Sequence, residues 1–530
     1  MLVKYMKLYC RYTKLAGFRY FVEEDSSWFD RLLWTLVYAM TVPALIYTII
    51  EGYQDIMENP CFSSIDAELI SVQSLDFPGV SICSINRINR SAAMEMANEL
   101  FQANVSRFSV GEIFDMIMQL GDLYDSHFIK QNRSYRIDHF FDHLYGSYDL
   151  AQIMKRLTPQ CSKLLAKCRF HDEEKNCSEM FQFRKTQDGF CCTFNYATKA
   201  DDIDLQNGVD HRLAPLKVEN LGEDGGMSVV LNTFLDEYAY PIFPISGFKV
   251  TIFNPHDYPD MTSGGVIEMF VSPQMQKNVD MVAIVSYSTT NVIPYALQHR
   301  HCVFAEEMAS VRASYTYSDC IVDCKIADIL HHCSCVPFYL PNRESKRVCN
   351  LEDIPCLLQH KHRWSSVIPN SDLYNDGIEE SSKVLHCQNC YPLCNDMTYN
   401  AKMTNTILSP GRHQTKLLND VHIENQSALN VFFSNFGTIK LKQDVVYRWY
   451  ELLGDASGIG GIFVGFSLIA VVEFVYFVGL FVFELLKGPD SSDAAEDESG
   501  RKRAPIQVIY WGELYPRTRP ALMPKRRDNY

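Results

Sequence analysis

Ten cysteines crowd one stretch of the chain: Cys302, Cys320, Cys324, Cys333, Cys335, Cys349, Cys356, Cys387, Cys390 and Cys394. Thiols this dense can hold a metal ion, run thiol–disulfide exchange or close structural bridges. His331 and His332 stand beside Cys333 and Cys335, as a zinc site would require, and Cys387 with Cys390 makes a Cys-x-x-Cys. The compartment decides between these chemistries. Outside the cell thiols oxidise, and ten of them close five bridges, so disulfides are expected and a metal site is not. Spacing alone leaves the connectivity open.

A second group of chemistry-bearing residues lies near the other end. The stretch from Ala456 to Phe483 is hydrophobic, with Glu473 its only charge, and glycine recurs at Gly454, Gly458, Gly460, Gly461, Gly465 and Gly479. Glycine in a membrane helix usually marks close helix packing, and Gly461-x-x-x-Gly465 fits that reading. A carboxylate at membrane depth is costly, so Glu473 should face a cavity, a partner or the headgroups.

Two hydrophobic segments position both groups. The first runs uncharged from Leu32 to Ile50, closed by Arg31 and Glu51, with Trp28, Trp34, Tyr47 and Tyr53 where interfacial aromatics belong. The charged residues before it read as those of an uncleaved anchor rather than a signal peptide. The Ala456–Phe483 stretch is the second. Lys4, Lys7, Arg11, Lys14, Arg19 and Arg31 flank one segment, and Lys487, Arg501, Lys502 and Arg503 the other, so both termini are expected in the cytoplasm. Of the 18 cysteines, all but Cys10 lie between the segments, as do glycosylation sequons at Asn89, Asn104, Asn132, Asn176 and Asn425. The expected layout is 1–31 cytoplasmic, 32–53 first span, 54–453 extracellular, 454–484 second span and 485–530 a disordered tail, in a multi-pass protein of the plasma membrane. Ser491 and Ser492, beside acidic residues, lie in that tail. A net charge of -15 gives no basic surface for nucleic acid. Neither G-x-S-x-G, H-E-x-x-H nor a phosphate loop occurs, so no enzyme and no cofactor are expected.

The region between the segments reads as α+β. Residues 92–160 repeat apolar residues at helical spacing, and strand-like runs follow in GMSVVLNT, GFKVTIFNP, MVAIVSYST and LNVFFSNFGTIKL, the last leading into the second span.

Several stretches, in order along nearly the whole chain, carry a family likeness. YSDCIVDCKIADILHHCSCVPFYLP resembles the cysteine-rich thumb of the degenerin/epithelial sodium channel family, and FPGVSIC, from Phe77 to Cys83, resembles the motif after its first span. GFCCTFN and NPHDYPD are most similar to the arthropod pickpocket branch, and LLGDASGIGGIFVGFS resembles the family's second span. The resemblance implies a homo- or heterotrimer of same-family subunits in the lipid bilayer. Each subunit would have two transmembrane helices around a disulfide-rich α+β ectodomain of palm, thumb, finger, knuckle and β-ball. The implied function is an amiloride-sensitive, sodium-selective cation channel gated by an extracellular chemical or mechanical stimulus. The alternative is a non-conducting accessory subunit. ATP-gated two-span trimers share the topology, but FPGVSIC and the Gly-x-Ser argue against them.

Carried onto matching residues, the resemblance makes Gly465, Phe466 and Ser467 the selectivity belt. Gly454, at the degenerin position, together with Asp455, Gly461, Glu473 and Gly17, then belongs to pore and gate. It implies nested bridges Cys302–Cys394, Cys320–Cys390, Cys324–Cys387, Cys333–Cys356 and Cys335–Cys349, with Cys83–Cys191 and Cys168–Cys177 upstream. Cys161 and Cys192 are left for a branch-specific bridge and Cys61 is unassigned. Two departures stand out. Where the family carries His-Gly before the first span, this chain has Ala16-Gly17. After Cys356 it reads LLQHKHRW, with His360 and His362 and no carboxylate, so strong proton gating is not expected. The C-terminal tail has no PPxY.

Overall fold

The computed structural model describes residues 2–23, 26–103, 108–124, 149–197, 214–308, 315–342, 346–369, 384–413, 415–419 and 421–486. The chain divides into two compact units, one of Met1–Ile50 with Tyr450–Tyr530 and one of Glu51–Trp449.

In the larger unit a nine-stranded mixed sheet is organised by the 14-residue strand Met275–Ser288. On one side it pairs antiparallel with Asp396–Ile407. On the other it pairs parallel with Gln426–Phe433 and then with Gly437–Val445, so the LNVFFSNFGTIKL run is two strands along one neighbour. The register is Gln276 to Ala428 in the first and Ile284 to Ile439 in the second, an offset growing from 152 to 155 residues. Three residues are therefore extruded at Ser434–Phe436. Ser434 holds this bulge, its N–H and hydroxyl both donating to Asp280. Gln426–Phe433 then pairs with Met227–Asn232, and Gly437–Val445 with Cys61–Ile65.

A five-stranded antiparallel sheet packs against the first and includes Gly79–Ser84, the strand of the FPGVSIC motif, between Gly189–Phe194 and Phe248–Phe253. All six of its residues are buried, as a strand covered on both faces requires. Phe77 sits at the centre of the shared core, its ring edge-on to Phe170, Phe194 and Phe433 at 5.5, 5.8 and 6.1 Å. Burying such a side chain contributes roughly 1.5–3 kcal/mol.

The helical region has Arg90–Gln102, Val110–Met118 and Leu150–Leu157 around one apolar cluster. Ser109 and Glu112 form a reciprocal capping box at the second of these, and Asp149 caps the third. Two further helices, Tyr317–Cys333 and Ile354–Ser365, are tied by Cys333–Cys356.

The smaller unit contains the 31-residue helix Trp28–Glu58 as far as Ile50, long and apolar enough to cross a membrane and with no buried side chain. A helix apolar on every face and with most of its surface open is suited to lipid. Trp449–Val464 and Leu468–Phe483 reach that length and apolarity only as a pair, and are bent by 80° at the break between them.

Candidate functional site

The break falls on Gly465, Phe466 and Ser467. Gly465 takes φ +73°, the left-handed conformation that ends helices and that residues with a Cβ adopt at a cost. Its N–H donates to Gly461 O at 3.0 Å, and the Phe466 N–H donates to Gly460 O at 3.2 Å. Ser467 then starts the next helix, its hydroxyl and carbonyl oxygens accepting from Ala470 N–H at 3.3 and 2.9 Å. Gly-x-Ser is thus a helix stop followed by a helix start. The last carbonyls of Trp449–Val464 have no partner within that helix, which leaves polar oxygens in an otherwise apolar stretch. Gly460 and Gly461 serve the same turn: a Cβ on them would meet the Phe466 Cβ at 3.3 Å and the Phe466 carbonyl oxygen at 3.5 Å.

The segment before the first long helix folds back onto this break. A Cβ on Gly465 would lie 3.4 Å from the Ala16 Cβ. The Lys14 N–H donates to Glu473 Oε2 at 3.3 Å, and Lys14 Nζ lies 4.0 Å from Glu473 Oε1. Glu473 thus has a cationic neighbour within its own chain. Tyr9 meets Phe474 and Phe477 edge-on, and Tyr5 meets Phe481. On the other side the Tyr38 hydroxyl donates to Ala16 O, and Trp34 stacks on Tyr20 at 5.3 Å. Gly17 makes the turn, with φ +85° and the Trp34 ring where its Cβ would be. Lys14, Trp34 and Tyr38 are site residues that sequence reasoning did not assign to the pore. Lys14 and Glu473 are 459 residues apart, so no local pattern joins them.

Gly454 and Asp455 are not brought to the break. They lie exposed in the first half of Trp449–Val464, about 15 Å along the axis from Gly465 at 1.5 Å per residue.

A second polar cluster lies in the larger unit, where the loop carrying NPHDYPD meets the helix Tyr317–Cys333. Lys325 and Asp260, both buried, pair at 2.7 Å, and the Ser318 hydroxyl donates to Tyr258 O at 2.5 Å. Half-buried Asp257 lies near Asp396 and Asp319. Burial first, and then these two carboxylates, push its carboxyl well above the usual range, against a hydrogen bond with Thr316. Burial also raises Asp396. A carboxyl raised in the folded chain contributes stability that is fully present below its unfolded pKa and lost as pH rises through its folded pKa. Asp257→Asn is therefore expected to flatten the decline in melting temperature between mildly acidic and mildly alkaline buffer. Parallel curves for variant and wild type would remove Asp257 as its source.

The bridges join Cys83–Cys191, Cys161–Cys192, Cys168–Cys177, Cys302–Cys394, Cys320–Cys390, Cys324–Cys387, Cys333–Cys356 and Cys335–Cys349. Cys10 and Cys61 are free thiols. Among the sequons, Asn176 and Asn425 are exposed, whereas Asn104 and Asn132 fall outside the described residues. Asn89 is only 8 % exposed, and its side chain caps the helix Arg90–Gln102, accepting from Ser91 and Ala92 N–H. The Asn89 side-chain oxygen is thus tied into the fold, with little of the residue open to solvent.

The sequence family described as Amiloride-sensitive sodium channel matches residues 9–477. Pickpocket protein 28 of Drosophila melanogaster is 24 % identical over 89 % of this chain and 77 % of its own length. Sodium channel protein Nach of the same organism is 24 % identical over 88 % and 86 %. Acid-sensing ion channel 1C of Danio rerio is 23 % identical over 91 % and 84 %. Among solved structures, a proton-activated chloride channel covers 85 % of this chain and 96 % of its own at 8 % identity, with a TM-score of 0.26, too low to relate the folds.

Proposed function

The chain belongs to the amiloride-sensitive sodium channel family, and we propose that it is one subunit of a trimeric, sodium-selective cation channel of the plasma membrane, blocked by amiloride and opened by an extracellular chemical or mechanical stimulus. The observation that carries this reading is the helix break at Gly465–Ser467 inside the second apolar stretch. Irregular backbone at membrane depth is tolerated where it lines a water-filled path or is buried in protein. Three copies around an axis would turn carbonyl and hydroxyl oxygens at the break into a ring that replaces part of an ion's hydration shell, and a narrow ring favours the smaller sodium ion. Glu473, a few residues beyond, would concentrate cations at the inner mouth, with Lys14 tempering its charge. Gly454 and Asp455 would stand at the outer gate, and Gly461 where amiloride enters. The eight disulfides support an extracellular 54–453, with spans at 32–53 and 454–484 and both termini inside.

One observation favours the accessory-subunit reading. Ala16 replaces the family's histidine at a place beside Gly465, so a group normally supplied next to the break is missing here.

Whole-cell recording from the chain expressed alone, with Gly454 replaced by a bulky residue that holds the gate open, tests both readings. A sodium-preferring current reduced by amiloride is expected. Silence, with the protein confirmed at the surface, would favour the accessory role.

A further inference from the structure

We propose that the two helices bridged by Cys333–Cys356 carry a surface site for a divalent transition-metal ion, with His332 and His360 as its imidazole ligands. His332 directly precedes one bridging cysteine and His360 follows the other by one helical turn, so the disulfide brings the two rings together. Their centroids are 4.5 Å apart at an interplanar angle of 46°, and His331 lies next to His332 at 4.9 Å. With metal–nitrogen bonds near 2.1 Å, two imidazole centroids on one ion stand about 5 Å apart for tetrahedral zinc and about 4.5 Å for neighbouring positions on nickel or copper.

The surroundings suit a ligand. His332 Nδ1 lies 2.9 Å from Asp328 O, and a carbonyl can only accept, so the proton sits on Nδ1 and the Nε2 lone pair is left for a metal. Metal-bound histidines are usually held in this way, and the Asp328 carboxylate, 3.6 Å from the same nitrogen, reinforces it. Asp328 is itself fixed by Arg363 Nε at 3.0 Å and Trp364 Nε1 at 2.7 Å. The Arg363 charge is therefore paired with a carboxylate. The His332 side chain is 28 % exposed, which leaves a path for an ion and for water to complete its coordination. This site does not depend on ion conduction.

Trp364, with its ring 5.9 Å from His360, provides a readout. Nickel(II) titrated into the detergent-purified full chain should quench a saturable part of the tryptophan fluorescence. Either His332→Ala or His360→Ala should move the midpoint at least about tenfold, since a direct ligand matters no less than its supporting shell. The double variant should be no worse than the singles. The chain has 15 histidines, so the difference between variants is what counts. His332→Gln, which keeps an N–H for Asp328 O, guards against misfolding: wild-type melting with a lost nickel response supports the site. Wild-type nickel midpoints in both alanine variants, or in His332→Gln, would overturn it.

Discussion

Replacing Gly17 by alanine is expected to abolish sodium current while the protein still folds and reaches the surface. Gly17 has φ +85°, and a Cβ there would fall within the Trp34 ring. The left-handed backbone alone costs an ordinary residue about 1–2 kcal/mol, and overpacking adds about 1–3 kcal/mol. Taken together, about 3 kcal/mol would depopulate the docked turn roughly a hundredfold. Trp34 cannot easily retreat, because it stacks on Tyr20 and belongs to the helix Trp28–Glu58. The turn carries Ala16, which lies beside Gly465 and accepts from Tyr38, so undocking it removes a wall of the helix break. Trp34→Ala added to Gly17→Ala should restore part of the current, because it relieves the clash and leaves the backbone cost. Undiminished current in the single variant, at matched surface density, would show that the turn does not bear on conduction. The bridges and cores of the larger unit are untouched by this change, so surface delivery separates the effect from misfolding.

The features readable from sequence were those with a local period or a charge boundary. The uncharged run from Leu32 to Ile50 lies in one helix, and GMSVVLNT, GFKVTIFNP and MVAIVSYST each fall on a strand, the last overrunning its end by Thr289. LNVFFSNFGTIKL was legible as strand but not as two, because the extrusion at Ser434 depends on Asp280, a residue 154 positions away. The glycine run before Glu473 was ambiguous for a physical reason. Glycine serves tight packing and left-handed turns equally well, and φ at Gly465, not composition, separates the two. The cysteine pairs could not follow from spacing, since ten thiols admit many connectivities. They came with the family likeness, and the structure has the same nested set. His360 and His362 looked equivalent on either side of Lys361. Helix geometry turns His360 toward His332, whereas His362 is exposed.

The largest stability effect should come from Lys325→Met, which leaves the carboxylate of Asp260 buried without its cation. Asp260 and Lys325 side chains are 5 % and 9 % exposed, and the ammonium donates to both carboxylate oxygens at 2.7 and 2.8 Å. Removing one member of such a pair typically costs about 3–5 kcal/mol, because the remaining charge keeps its desolvation penalty. Arg156 with Glu99 is the contrast, since those side chains are 44 % and 47 % exposed and Arg156→Met should cost about 1 kcal/mol or less. Asp260→Asn combined with Lys325→Met should recover most of the loss. The amide oxygen can still accept from the Thr262 N–H, which Asp260 now caps at 2.8 Å, and no charge is left buried. Apparent melting temperature in detergent and the fraction reaching the surface should therefore rank wild type, then the double variant, then Lys325→Met. If the single and double variants melt together, loss of the ammonium's packing, not the stranded carboxylate, is what costs stability. The pair joins the NPHDYPD loop to the helix Tyr317–Cys333, and Ser318 and Tyr258 bind across the same junction. A destabilised junction should therefore also loosen the surroundings of Asp257 and shrink the pH dependence that its raised carboxyl imposes.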